Sequence, residues 1–286
     1  MSRTFSLVLL ALLAGCSSYI ERGPRLDLAG PELAGTEWES AARDAPDVRR
    51  AKERALAYFR APIRRRLDTI PIYLSRCEDP ELAGAYCQGG LSGLVGCGTG
   101  SEEIDFFYSP SREIDDWRAV IEDELASARG PDSTFTATLW FGGLVHRRVQ
   151  FPLSARATAL EAIRAGIREV LAAILVHEYV HALIADGALD APKLARQIDR
   201  LDPAVYPIAG LVESGRDAYP WWLFLAAEEE SVCLTAEYHI VFGYAVPQEI
   251  GDEFAEVVDG RMGDSMPVVV QIHARGKGGA PAQPER

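Results

Sequence analysis

Hydrophobic residues recur every three or four positions over residues 154–185, and this spacing predicts one long amphipathic helix. Ser154 begins the segment as an N-cap, and Gly187 follows its last apolar turn as a stop signal. Two histidines and a glutamate fall on the apolar stripe, which we expect to face the core. The stripe consists of Leu171, Ile174, His177, Glu178, His181 and Ile184.

Period-two alternation predicts a strand pair just before this helix, at residues 134–141 and 145–151. The segment Gly142-Gly143-Leu144 joins the two strands as a hairpin. The remaining patterns predict shorter strands at 69–74, 104–108 and 268–272, and helices at 47–60, 112–128 and 219–242. Together these elements predict an α+β fold, with a small twisted sheet followed by a helical half.

The two ends of the chain lack such periodicity. Residues 16–46 carry Gly, Pro, Ala and scattered charge, which predicts a flexible tether. Residues 275–286 are rich in Gly, Pro and Ala and are predicted to be a disordered tail. One domain over residues 47–274 is therefore expected between them.

The first residues have the pattern of a targeting segment. Arg3 precedes an apolar stretch at 5–13, which is too short to span a bilayer, and Leu13-Ala14-Gly15-Cys16 follows. This pattern resembles a bacterial lipobox, which implies removal of residues 1–15 and lipidation of Cys16, with palmitate among the acyl chains. Ser17 then favours the outer membrane, by resemblance to Gram-negative lipoproteins. The alternatives are an ordinary signal peptide and a membrane-anchored start.

Net charge bears on the possible partners of the chain, and cysteine spacing bears on its disulfides. The net charge of -13 argues against nucleic acid as a partner. Cys77, Cys87 and Cys97 are spaced ten residues apart in a glycine-rich stretch, and outside the cytoplasm one disulfide among them is expected, with its connectivity open. Cys233 is predicted to be a buried apolar residue of a helix.

The predicted long helix contains the sequence His177-Glu178-Tyr179-Val180-His181. Residues four apart lie on one helix face, so both imidazoles can bind one metal ion, and Glu178 can take a proton from a water that the metal activates. The alternative is two core histidines held by hydrogen bonds. A metal is favoured, because two imidazoles and a carboxylate on a buried stripe need a partner that offsets their desolvation.

The motif resembles that of the zincin metallopeptidases, over residues 167–185 and more weakly over one later helix. The metzincin pattern needs a glycine three residues and a histidine six residues after His181, where this chain has Ile184 and Gly187. The remaining resemblance is to gluzincins, which take a third ligand from a later helix. It implies a Zn²⁺ cofactor, a peptide or protein substrate, and a cleft between a sheet half and a helical half.

The acidic run Glu228-Glu229-Glu230 is the source of the expected third ligand. Glu229 lies in the middle of an apolar stripe, so we favour it over its neighbours. Glu230 falls on a mixed face, whereas the gluzincin resemblance favours Glu228. A solvated acidic run without a ligand is the remaining alternative. The stripe consists of Trp222, Ala226, Glu229, Cys233, Ala236 and Ile240.

These residues lead to the expectation of a membrane-tethered zinc peptidase, in which Glu178 is the general base. Tyr238, His239 and Tyr244 are candidates to stabilise an oxyanion, and Asp186 and Glu237 are candidate acceptors for the ligand histidines. One hairpin strand is a candidate to pair with an extended substrate. The alternatives are an inert zincin-fold envelope lipoprotein that binds partners, and a structural envelope protein with a chance motif.

Overall fold

A computed structural model describes much of the chain, in segments separated by gaps. The described residues are 20–77, 93–95, 103–106, 111, 114–115, 118–119, 122, 134–141, 144–152, 156–218, 227–260 and 271–274. The predicted signal peptide, Cys16 and the predicted tail at 275–286 lie outside them, as do the side chains of Cys77, Cys87 and Cys97. The chain divides into two compact units, one of residues 1–111 with 168–266 and one of 112–167 with 267–286.

The described elements mix helices with small sheets, which confirms the α+β class. The strands are β1 (Ile20–Glu21), β2 (Ile72–Leu74), β3 (Arg76–Cys77), β4 (Gly93–Val95), β5 (Ile104–Phe106), β6 (Thr134–Phe141), β7 (Leu144–Pro152) and β8 (Gln271–Ala274). The α-helices are α1 (Glu39–Ala57), α2 (Ala61–Leu67), α3 (Arg156–Ala185), α4 (Ala191–Ile198), α5 (Pro207–Ala218), α6 (Ala227–Ala236) and α7 (Gln248–Ala255). A 3₁₀ turn covers Pro31–Leu33, and a π-helical turn covers Glu237–Val241.

The first unit contains two small sheets. Strand β1 pairs antiparallel with β3, and β5 lies between β2, its parallel neighbour, and β4, its antiparallel one. The strand predicted at 69–74 is therefore present in shorter form, and the strand predicted at 104–108 is present over its described residues, 104–106. Ile72, Leu74, Ile104 and Phe106 are buried, which places one apolar layer of the core on this parallel pair.

From Ile20 onward the structure differs from the tether predicted over residues 16–46. Strand β1 is paired, Leu26 and Ala29 are buried, and the Leu26 amide donates to the Ile72 carbonyl. The Arg49 guanidinium donates to the carbonyls of Leu26 and Ala29. The segment is held by backbone hydrogen bonds with no regular repeat, and hydrophobic periodicity does not report such bonds.

Helix α1 also begins earlier than predicted. The predicted helix over residues 47–60 begins directly after Pro46, a residue that has no backbone N–H to donate within a helix. The observed helix runs through Pro46 from Glu39 to Ala57. Small buried residues on one face, spaced by three or four, support it on both sides of the proline; they are Ala41, Ala45, Val48, Ala51 and Ala55.

Ion pairs join α1 to the part of α3 that belongs to the first unit. Arg168 Nε donates to Asp47 Oδ1 at 2.6 Å, and the Asp47 side chain is 7% exposed. Two turns further along α1, Arg54 Nη1 lies 2.5 Å from Glu169 Oε1. These pairs and the buried edge-on contact of Phe59 with Tyr179 fix the α3 segment that precedes and includes the motif.

Helix α3 spans Arg156–Ala185 and confirms the predicted long helix. It ends as expected at Gly187, which has a φ of 71° and donates its amide to the Ile184 carbonyl. The Ala188 amide donates to the Leu183 carbonyl, so the last carbonyls of the helix are satisfied by the turn itself. A residue with a side chain is strained at such a positive φ, and glycine is not.

Helix α6 is the described part of the helix predicted at 219–242, whose start at Tyr219 lies outside the described residues. It packs against α4 and α5 and continues into the π-helical turn Glu237–Val241. Every residue from Glu230 to Phe242 is buried. This part of the helix therefore has no solvent face, and the stripe predicted from the sequence is not its only buried side.

The second unit contains a three-stranded sheet in the order β7-β6-β8. Strands β6 and β7 form the predicted antiparallel hairpin. The strand predicted at 268–272 is β8, shifted to Gln271–Ala274, and it pairs antiparallel with Phe135–Thr138 of β6. Because β6 has a neighbour on both sides there, it cannot accept a substrate strand over those residues. The hypothesis that one hairpin strand pairs with an extended substrate therefore now concerns β7.

None of the helices in the described part of the chain is long and apolar enough to cross a membrane.

Candidate metal centre

The motif residues lie together in the interior of the first unit. His177 is 6% exposed and Glu178 is 4% exposed. The ring centroids of His177 and His181 are 5.1 Å apart, with an angle of 64° between the ring planes. The one-turn separation on α3 therefore brings both imidazoles to one place, as the i, i+4 spacing predicted.

A carboxylate of α6 approaches both rings. Glu230 Oε2 lies 3.3 Å from His177 Nε2, and Glu230 Oε1 lies 3.2 Å from His181 Nε2. The Glu230 side chain is only 10% exposed. Each oxygen of this carboxylate thus faces the Nε2 atom of a different ring.

Two further carboxylates lie on the opposite edges of the rings. Glu237 Oε2 is 3.2 Å from His177 Nδ1, in hydrogen-bonding geometry, and Glu229 Oε2 is 3.6 Å from His181 Nδ1. Glu237 is buried, whereas the Glu229 side chain is 48% exposed. The expected role of Glu237 as a hydrogen-bond acceptor for a motif histidine therefore matches its position.

The hydrogen bond to Glu237 determines which way the His177 lone pair points. A carboxylate only accepts, so Nδ1 is the atom that carries the hydrogen. In the neutral ring Nε2 then has an unshared pair, and it faces Glu230 Oε2, a buried oxygen with no hydrogen-bond partner. Two acceptors at this distance repel each other, unless the ring is protonated or a cation lies between them.

In the chain alone, the nearby carboxylates favour the protonated form of both rings. Burial acts to lower the pKa of His177, but its contacts with Glu230 and Glu237 outweigh burial and raise this pKa well above the ordinary value. The pKa of His181 is raised too: burial lowers it, and Cys233, Glu229 and Glu230 together outweigh that effect. Burial would raise the pKa of Glu230, but the two rings hold it far below its usual range.

Glu178 is in a different electrostatic situation. Burial raises the pKa of this carboxyl, and the charges of His177 and His181 only partly oppose that effect. A carboxylate of raised pKa takes up a proton more readily, which is the property needed in a general base that later acts as an acid.

The donor set fits a divalent metal ion. Ligand atoms about 2.0–2.2 Å from a tetrahedral zinc ion lie roughly 3.3–3.6 Å from one another, close to the separations between the Glu230 oxygens and the two Nε2 atoms. His177, His181 and Cys233 also form a group whose ligand atoms all lie within 4.8 Å of one another. The chain therefore has a cluster that can hold a metal ion.

The position of Glu229 differs from the one that the sequence favoured. Glu230, rather than Glu229, lies between the two Nε2 atoms, while Glu229 reaches only the outer edge of His181. Glu228 is exposed. The apolar stripe could not rank these residues, because α6 is buried on all sides from Glu230 onward. The useful signal was the spacing of Glu230, Cys233 and Glu237, three and four residues apart, on one face.

The other predicted site residues have separate surroundings. His239 Nδ1 donates to the Tyr244 carbonyl at 2.6 Å and its ring packs on Phe254, so these contacts do not join it to the motif histidines. Tyr238 packs edge-on against the Tyr244 ring. Asp186 forms an ion pair with Arg66.

No protein-family profile, curated protein or solved structure matches this chain.

Proposed function

We propose that this protein is a zinc-dependent peptidase in which His177, His181 and Glu230 hold the ion and Glu178 is the general base. The observation that carries the proposal is the convergence of two imidazole nitrogens on one buried carboxylate, that of Glu230. The Oε2 atom of this carboxylate has no hydrogen-bond partner. The next residue after His177 is an equally buried carboxyl group. The proposal includes a zincin-like, gluzincin-type arrangement of the two helices.

A zinc ion in such a site lowers the pKa of a water to about 7 and polarises a carbonyl group. Glu178 accepts the proton of the attacking water, whose oxygen adds to the peptide carbonyl carbon. The same carboxyl then donates its proton to the departing amine nitrogen as the carbon–nitrogen bond breaks.

Glu237 has a positioning role in this scheme. Its hydrogen bond to His177 Nδ1 holds the ring in the tautomer that presents a bare Nε2 to the ion. Glu229 stands in the corresponding place beside His181 Nδ1, at a longer distance and closer to solvent. The two rings are thus oriented from outside by carboxylates, and they share Glu230 on the inside.

A second candidate function is a metal site that does not catalyse, in an envelope lipoprotein that binds partners. Cys233 favours it, because a buried thiol lies in the same group as both histidines and could close the site. Structural zinc sites have four protein ligands, whereas catalytic sites keep one position open.

The proposed location is the bacterial cell envelope, with a lipid anchor at Cys16 and the catalytic unit outside the cytoplasm. The support is the charged start, the short apolar stretch and the cysteine that follows it. A Cys16→Ala variant should leave the membrane fraction in a bacterial host, and a variant that stays membrane-bound would contradict the anchor.

The test of catalysis is a Glu178→Gln variant, with Glu228→Gln as the matched control. Both purified proteins are incubated with a denatured protein and with a peptide library, and bound zinc is measured in the same samples. Loss of a general base is expected to slow cleavage by about 10²–10⁴-fold with zinc content unchanged. The exposed Glu228 should be dispensable. Equal cleavage by wild type and Glu178→Gln would overturn the mechanism.

A further inference from the structure

Cys233 is a buried thiol beside the proposed zinc ligands. It is fully buried, and it is a free cysteine among the described residues. It lies three residues after Glu230 on α6, so both side chains are on the face that meets the motif histidines. Its sulfur and one nitrogen of each ring lie within 4.8 Å of one another.

The surroundings of the thiol indicate a ligand role rather than simple core packing. Glu230 Oε2 is buried next to His177 with no hydrogen-bond partner, which is an independent sign that this place suits a cation. Thiolate sulfur is among the donors that zinc binds most often, together with imidazole nitrogen. His177, His181 and Cys233 form one close group of donors, and Glu230, which contacts both rings, would bring the set to four, the number that fills a tetrahedral site.

Charge supports a four-ligand set. One carboxylate and one thiolate cancel the two positive charges of the ion, and both imidazoles stay neutral. A buried group without net charge costs less desolvation than one that keeps a charge. Water and the thiolate would thus compete for one remaining position at the ion.

We infer that Cys233 is a fourth zinc ligand in the resting protein and that it must leave the ion before peptide hydrolysis can begin. The inference rests on the proposed function and adds a regulation of the same site. On binding, the thiol releases one proton to solvent and forms a sulfur–zinc bond; on opening, that bond breaks and the sulfur regains a proton. No oxidant or reductant takes part.

The decisive experiment is X-ray absorption at the zinc edge on the full-length zinc-loaded chain. The expected result is a sulfur scatterer at about 2.3 Å in the wild type, which disappears in Cys233→Ser. Thr235→Ser is the matched control, because it alters another fully buried side chain of α6. It should retain the sulfur signal. A wild-type spectrum with nitrogen and oxygen neighbours alone would overturn the inference, and this readout needs neither activity nor a well-folded variant.

Activity gives the second readout. If about nine sites in ten are closed at rest, removal of the thiolate should raise peptide cleavage by about tenfold, because only the open fraction works. Cys233→Ser and Cys233→Ala should both show the increase, while Thr235→Ser stays at the wild-type rate. Unchanged or lower cleavage by a zinc-loaded, folded Cys233→Ser protein would contradict the inhibitory role.

Failure of this inference can be distinguished from failure of the proposed function. A zinc-loaded wild type without bound sulfur, but with peptidase activity that depends on Glu178, overturns the inference alone. A sulfur signal that depends on Cys233, in a protein that cleaves nothing even as Cys233→Ser, supports the ligand and overturns the peptidase. A chain that binds no zinc overturns both.

Discussion

Two buried carboxylates of the first unit, Asp105 on β5 and Glu230 on α6, are compensated in different ways. Asp105 is 3% exposed and receives two hydrogen bonds from Arg22, at 3.2 Å from Nε and 2.9 Å from Nη2. Ser75 Oγ donates a third at 2.6 Å. Asp105 is the largest cause that raises the pKa of the Arg22 guanidinium, so the chain itself supplies a permanent cation for this group.

Glu230 has no such partner. It faces two imidazoles, which carry a positive charge only when they are protonated, and one of its oxygens has no hydrogen-bond donor. The comparison separates two reasons for burying a carboxylate. Donors within the chain make Asp105 a structural group, whereas we propose that Glu230 shares a cation that comes from outside.

The largest effect expected from this comparison is on zinc affinity in Glu230→Gln. Loss of an outer-shell partner costs about 10–100-fold, so loss of a ligand should cost more than 100-fold. The adjacent Glu228→Gln change is the control, because Glu228 is exposed and its loss should leave affinity unchanged. Competition with a fluorescent chelator measures both. An equal loss of zinc affinity in the two variants would mean that the acidic run acts only through its total negative charge.

Zinc itself should stabilise the fold. Free zinc at 100 times its dissociation constant adds about 2.7 kcal/mol to the free energy of unfolding. For a chain of this size, that corresponds to a rise of roughly 5–10 °C in Tm. Calorimetry with zinc and with a chelator measures the difference, and Glu230→Gln should show little of it. A Tm that is identical in both conditions would place the histidines in an ordinary core.

Glu237→Gln should weaken zinc binding by about 10–100-fold, because the amide orients the His177 ring less strongly than the carboxylate does. The matched variant is Glu229→Gln, which faces His181 from a longer distance and should have a smaller effect. Chelator competition again gives the affinities. An effect of Glu229→Gln beyond that of Glu237→Gln would restore Glu229 as the more important residue.

The smallest effect is expected on the Asp105 side. Ser75→Ala removes one donor from Asp105 and should lower the free energy of unfolding by roughly 1–2 kcal/mol, with zinc affinity unchanged. Urea unfolding measures the first quantity and chelator competition measures the second. A change in zinc affinity would show that the two carboxylates are coupled, against the distinction drawn between them.

The parts of the fold and site that follow from local spacing could be predicted from the sequence. The long helix, its end at Gly187 and the hairpin of β6 and β7 are confirmed, because each depends on a short-range pattern. The nearness of His177 and His181 follows from one turn of helix. The position of Glu237 at His177 was only one of two unranked candidates.

The remaining features depend on tertiary contacts. Glu229 was preferred over Glu230 because an apolar stripe was assumed, but from Glu230 onward α6 is surrounded by protein and has no polar side to define one. Cys233 was correctly predicted to be buried, yet its nearness to the motif histidines depends on the packing of two helices. The ordered segment after Ile20 is held by Arg49 and by strand pairing, which hydrophobic spacing does not encode.

The central claim is that a divalent cation joins His177, His181 and Glu230. Equilibrium dialysis of the purified chain against zinc, followed by elemental analysis, tests it most directly. We expect about one zinc ion per chain in the wild type and a much lower zinc content in His181→Ala. A folded wild-type chain that takes up no zinc would contradict it, and would leave the two rings as protonated partners of buried carboxylates.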